Sequence, residues 1–82
     1  MMSVIYEIRG NPATTKGTIT CPCGGGKVSY TKLTDDGTFY VELECIRRYS
    51  GGTDRDGESV DYFHCSDCRQ VVAWIHSCDV VY

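Results

Sequence analysis

Six cysteines in 82 residues are the groups in this chain best suited to chemistry. Four form two tight pairs, Cys21-Pro22-Cys23 and Cys65-Ser66-Asp67-Cys68. Neighbours this close do not readily bridge each other, but each pair can offer two thiolates to one ion. Zinc takes four soft ligands tetrahedrally, and a structural site closes all four positions. Residues 24–64 separate the pairs, enough chain for a hairpin to bring them together. The glycines at 24–26 let the chain turn back so that peptide N–H groups face sulfur. The expectation is one structural Zn²⁺ held by Cys21, Cys23, Cys65 and Cys68.

The single-residue spacer of the first pair is tighter than the usual C-x-x-C, so Cys45, Cys78, His64 and His76 stand as reserve ligands. Cys45 continues the alternation of Phe39, Val41 and Leu43 and is expected to be a small buried hydrophobe. His64 adjoins Cys65, so in an extended segment it points the other way. His76 and Cys78 could share a face near the C-terminus. All four are expected to be structural. Two other uses of the cysteines stay open. A disulfide framework would allow 15 pairings, but residues 1–9 lack a secretory signal and disulfides are rare in reducing compartments. A redox C-x-x-C at Cys65–Cys68 would want a βαβ context that the pattern does not show. The expected compartment is the cytoplasm.

The elements that must position these thiols are short. Alternation and turn residues predict strands at 3–8, 17–21, 27–33, 38–49, 60–64 and 70–76, with a short tail strand at 79–82. Gly10-Asn11-Pro12 and Thr34-Asp35-Asp36-Gly37 read as turns, and Asp-Gly is a strong hairpin signal. Residues 50–59 read as a polar, glycine-rich loop. No segment has a helical period. The expected fold is all-β, a small antiparallel sheet with two cysteine knuckles meeting at one end. Residues 1–82 make one domain, since a second core would not fit.

The net charge of −3 argues against a binder that relies on a broad basic surface. The longest apolar run, residues 71–75, is far short of the ~20 residues of a membrane span. Four thiolates leave zinc no open position and make it a poor Lewis acid. No P-loop, G-x-S-x-G, H-E-x-x-H or zinc-deaminase signature is present. An enzyme with a small-molecule substrate is therefore not expected.

Two cysteine knuckles among β-strands resemble the zinc-ribbon family over roughly residues 19–75. The better match is Val60-Asp61-Tyr62-Phe63-His64-Cys65-Ser66-Asp67-Cys68 followed by Trp74. It resembles the final strand and knuckle of ribbons in transcript-cleavage factors and small RNA polymerase subunits. Thr20-Cys21-Pro22-Cys23-Gly24-Gly25-Gly26-Lys27 resembles a C-P-x-C-G knuckle with one residue deleted. Asp54, Asp56 and Glu58 stand where those ribbons carry a polar acidic loop, but the cleavage-factor tip pattern is absent. The resemblance implies a zinc ribbon of the transcription or nucleic-acid-processing machinery. In size and acidity the chain also resembles small phage-encoded modulators of host proteins.

The expected activity is docking on a larger protein, through Asp54, Asp56, Glu58, Arg47 and Arg48. Direct binding of single-stranded nucleic acid is the alternative, using Lys27, Lys32, Arg47, Arg48 and Arg69 with Tyr30, Tyr40, Tyr49 and Tyr62 as stacking partners. A thiol redox role is the second alternative.

Overall fold

The structure is a computed structural model that describes residues 6–8 and 16–82. Residues 3–5 of the expected first strand and the expected turn at 10–12 lie outside the described residues. Among the described residues there are eight strands: β1 (Tyr6–Ile8), β2 (Lys16–Thr20), β3 (Lys27–Lys32), β4 (Phe39–Glu44), β5 (Ile46–Thr53), β6 (Ser59–Cys65), β7 (Val71–His76) and β8 (Val80–Val81). A 3₁₀ turn, Ser77–Asp79, precedes β8. The chain is all-β, and no described helix is long and apolar enough to cross a membrane.

The strands form two sheets rather than one. β2, β3 and β4 make an antiparallel meander, and β5, β6 and β7 make a second. Each meander is widened by a strand from the far end of the chain. β8 lies parallel to β4, and β1 lies parallel to β7. Local alternation specifies a strand and its buried face, but not which distant strand will cover an open edge, so the expected all-antiparallel sheet is replaced by two mixed ones.

The sheets pack face to face around one apolar core. Ile19, Val28, Phe39 and Val41 of the first sheet meet Ile8, Phe63, Val72, Ala73 and Ile75 of the second. The register carries the alternation across strands, with Ile19 opposite Val28 and Val28 opposite Leu43. Tyr30 and Phe39 meet edge to face at 5.8 Å, which places Tyr30 inside the sandwich rather than on a binding surface.

Residues 38–49 are not one strand. Cys45 takes a left-handed conformation, φ 54°, and turns the chain from the first sheet into the second. Its side chain is exposed, not buried, and its carbonyl accepts a hydrogen bond from the Ser66 N–H at 2.9 Å. The apolar alternation runs unbroken through Cys45, so the corner has no local signature. The expected loop at 50–59 is also shorter. β5 continues to Thr53 through a register shift between Tyr49 and Gly52, with Gly51 at φ 99°. An edge strand facing solvent needs no apolar pattern, and a glycine bulge bends it without breaking the ladder.

Asp61 is the buried charged side chain of this core, 4% exposed. Ser77 Oγ and Tyr82 Oη donate to its two oxygens at 2.7 and 2.6 Å. Burial, and then the Asp61 carboxylate, push the Tyr82 phenol well above its ordinary value. Arg48 lies over the Tyr82 ring at 4.3 Å from its centroid. Tyr82→Phe removes one donor from a buried acceptor and should cost about 1–3 kcal/mol, since a bond to a charged group is at stake. Thermal unfolding checks it, because each kcal/mol moves a domain of this size by roughly 4–8 °C.

Candidate functional site

Each sheet contributes one half of the cysteine site. Cys21 and Cys23 occupy the turn from β2 to β3, and Cys65 and Cys68 the turn from β6 to β7. The two turns close alike. Cys21 N–H donates to the Gly26 carbonyl and Cys65 N–H to the Gln70 carbonyl, both at 2.8 Å. Each bond spans the same number of residues, so the shorter first pair is absorbed without changing the ring that carries it. Gly24, at φ 82°, supplies the turn that the deleted spacer residue would otherwise share.

The four Sγ atoms lie within 4.8 Å of one another. Cys21 and Cys68 approach to 3.3 Å, and Cys23 and Cys65 to 3.5 Å. Tetrahedral zinc thiolate, with Zn–S of ~2.3 Å, places sulfurs about 3.8 Å apart. The cluster can therefore accept an ion with small side-chain adjustments. Cys21 and Cys65 are buried, Cys68 is half-buried and Cys23 is exposed. None of the reserve ligands joins them. Cys45 is the corner described above, Cys78 donates to Asp79 at 3.4 Å, and His76 bonds Asp54 at 3.0 Å. His64 pairs with Arg47 on the opposite face of β6 from Cys65.

The thiols are electrostatically unequal. N–H groups of Cys68 and Asp67 and the thiols of Cys23 and Cys21 bond to Cys65, and outweigh burial to hold it at about 7. At Cys21 the Cys23 N–H acts in the same sense, but burial and the neighbouring thiols overcome it and push Cys21 up to about 12. Cys23 is lowered by Gly25 N–H and Cys21, yet its bond to Cys65 and burial leave it raised. Of these three, Cys65 ionises most readily, because backbone N–H groups face its sulfur.

Gly26 shows how closely the halves meet. A Cβ there would lie 2.7 Å from Ile46 Cδ1, 3.0 Å from the Cys45 carbonyl oxygen and 3.3 Å from Cys65 Sγ. The backbone contact cannot rotate away. Gly26→Ala should therefore cost about 1–3 kcal/mol by overpacking. It should also loosen metal retention, measured as faster transfer to a competing chelator.

Most of the other predicted side chains divide between two outer faces. Tyr40 and Lys27 lie on the outer face of β3 and β4, whereas Lys32 follows Val28 and Tyr30 on the inner side, opposite Phe39. Asp54 is committed within its own turn: its Oδ1 accepts from the Asp56 and Glu58 N–H groups, and its Oδ2 meets His76. The Glu58 N–H and, against burial, His76 hold its carboxyl below the usual range. Asp56 and Glu58 are exposed. Arg47, Arg48 and Arg69 line one groove of about 430 Å³ with Tyr49, His64, Cys65 and Ser66, beside the cysteine site.

That groove continues onto the outer face of the second sheet. Tyr49 on β5 is opposite Tyr62 on β6, Tyr62 is opposite Trp74 on β7, and Trp74 is opposite Glu7 on β1. His64 and His76 flank this row, with Tyr49–His64 and Trp74–His76 edge contacts at 6.2 and 5.3 Å. Tyr62 and Phe63 lie on opposite faces of β6, and only the cross-strand register sets Tyr49, Tyr62 and Trp74 in one row. No protein-family model matches this chain, and neither a curated protein nor a solved structure is similar to it; the four-cysteine cluster remains compatible with a zinc ribbon.

Proposed function

We propose that this protein is a zinc-stabilised binding module whose activity is recognition of another macromolecule, not catalysis. The observation that carries it is the convergence of four thiols, two from each sheet, in an arrangement that fits four-coordinate zinc. Cys21, Cys23, Cys65 and Cys68 hold the ion and leave it no open position, which is the signature of a structural site. The metal ties the two sheets together at the end of the core where Cys21 and Cys65 are buried. A domain this small gains most from such a staple.

Native mass spectrometry of protein purified without chelator tests this against the denatured mass. One zinc per chain with six reduced cysteines supports it. A metal-free chain with disulfides overturns it and favours thiol chemistry. Metal binding should also release protons, since thiolates are the ligands. With Cys21 pushed up to about 12 and Cys23 raised, these two thiols carry protons at neutral pH that the ion must displace. Calorimetric titration in buffers of different ionisation enthalpy should find about two to four protons expelled per ion.

A further inference from the structure

The two outer faces of the sandwich differ in kind. The outer face of the first sheet carries rows such as Thr18, Ser29 and Glu42, ordinary solvated pairs. The outer face of the second carries Tyr49, Tyr62 and Trp74 in one cross-strand row. Cross-strand aromatic rows also stabilise a sheet, but this one leaves ring surface open to solvent. Burial does not account for them, because Tyr49 is 56% exposed and Tyr62 and Trp74 are only half-buried.

Charge is segregated along the same face. At the cysteine end, the groove holds Arg47, Arg48 and Arg69, and no carboxylate lines it. At the other end, Glu7, Asp54 and Asp56 outnumber Arg55 around a second hollow that takes in Tyr62, Trp74 and His76. The net charge of −3 conceals this local basic rim. Arg69 stands in the left-handed region at φ 65°, a position where glycine would be unstrained.

We infer that the outer face of the second sheet binds single-stranded nucleic acid, with unpaired bases stacking on Tyr49, Tyr62 and Trp74 and phosphates held by Arg47 and Arg69. This rests on the binding-module reading above and names its partner. Adjacent strands are ~4.8 Å apart, so the ring row spans about 10 Å, room for two or three bases. Every base has a π-face, so such a platform is sequence-tolerant, and arginine supplies the backbone contacts. Duplex bases are already stacked and do not reach a flat sheet. Glu7, Asp54 and Asp56 oppose phosphate beside Trp74, so the strand's path ends at that ring.

Trp74 is the chain's single tryptophan and lies in the row, so its emission reports occupancy directly. The metal-loaded protein is titrated with oligothymidylate and oligouridylate of about eight nucleotides, within the usual site size. The DNA and RNA arms show which sugar is preferred. Expected is quenching of Trp74 by a single strand and much weaker binding of the corresponding duplex. Tyr49→Ala should weaken binding roughly 5- to 150-fold, the range for one stacked base. Tyr40→Ala, on the other outer face, should change it less than about twofold. Arg47→Ala should lower the salt slope by about 0.7, one phosphate contact. Arg69→Gly should do the same while keeping thermal stability at or above the parent, which separates binding from folding.

Unchanged Trp74 emission at ~50 mM salt overturns the inference and turns the face to a protein partner. Equal binding of duplex, or equal losses from Tyr49→Ala and Tyr40→Ala, also overturns it. Metal content is read on the same samples by native mass spectrometry. A folded chain without zinc would overturn the metal-centre reading alone, and the same titration would still decide this one.

Discussion

Cys65→Ser protein is expected to lose its metal and its tertiary structure together. Cys65 is buried, 1% exposed, and its sulfur stands 3.5 Å from Cys23 and beside Gly26. Serine leaves three sulfurs and a poor fourth donor. Structural zinc sites contribute ~10–16 kcal/mol of apparent binding free energy at neutral pH. Whole domains are stable by only ~5–15 kcal/mol. The metal term is therefore as large as the net stability, and losing most of it leaves no folded state to populate. Near-ultraviolet circular dichroism and zinc content should fall in step. A Cys65→Ser chain that stays folded without metal would refute the structural role.

Acid should act on the same site. Metal-bound cysteines are deprotonated, whereas unfolded cysteines titrate near ~8.5. The unfolded chain then binds more protons, so stability rises with pH and falls as pH drops from about 8.5. Zinc retention followed against pH should show this as a steep cooperative loss on the acid side.

Phe63→Ala is expected to be the most damaging change away from the cysteines, costing about 3–5 kcal/mol. Phe63 has no solvent exposure. It sits on central strand β6, opposite Ala73, with Tyr82 edge-on at 6.4 Å. Ala73 is too small to move into the space, and the backbone on both sides is held by ladder bonds. The cavity therefore stays open, and the loss exceeds simple transfer of the side chain. Urea unfolding of the metal-loaded protein measures it. Tyr49→Ala, on the outer face, should stay within about 0.5 kcal/mol. Equal losses from the two substitutions would mean that β6 does not present Phe63 to the core.

Much of this molecule is legible without coordinates because its signals are local. Alternation at residues 27–32 and 39–44 marks two strands whose inner residues, Val28, Phe39 and Val41, form the core. Asp36-Gly37 marks the hairpin between them, with Gly37 at φ 103°. The two cysteine pairs mark the site, because metal geometry demands ligands at short spacing. Cys45 misleads for the complementary reason. Its alternation is genuine, but a left-handed corner depends on where the strand must go next.

Residue types and spacing determined that this chain is built from strands, that its core is aliphatic and aromatic, and that its cysteines fall in two close pairs. These follow from interactions over a few residues. Only the fold left Cys45, Cys78, His64 and His76 outside the cluster that could hold a metal ion. Tertiary structure alone decided that there are two sheets, that β1 and β8 cross to cover distant edges, and that each knuckle comes from a different sheet. It also decided that Tyr49, Tyr62 and Trp74 align while Tyr30 turns inward and Tyr40 lies on the opposite side. Those outcomes depend on register and on pairing between residues far apart in the chain, where the free energy of closing an edge outweighs any local preference.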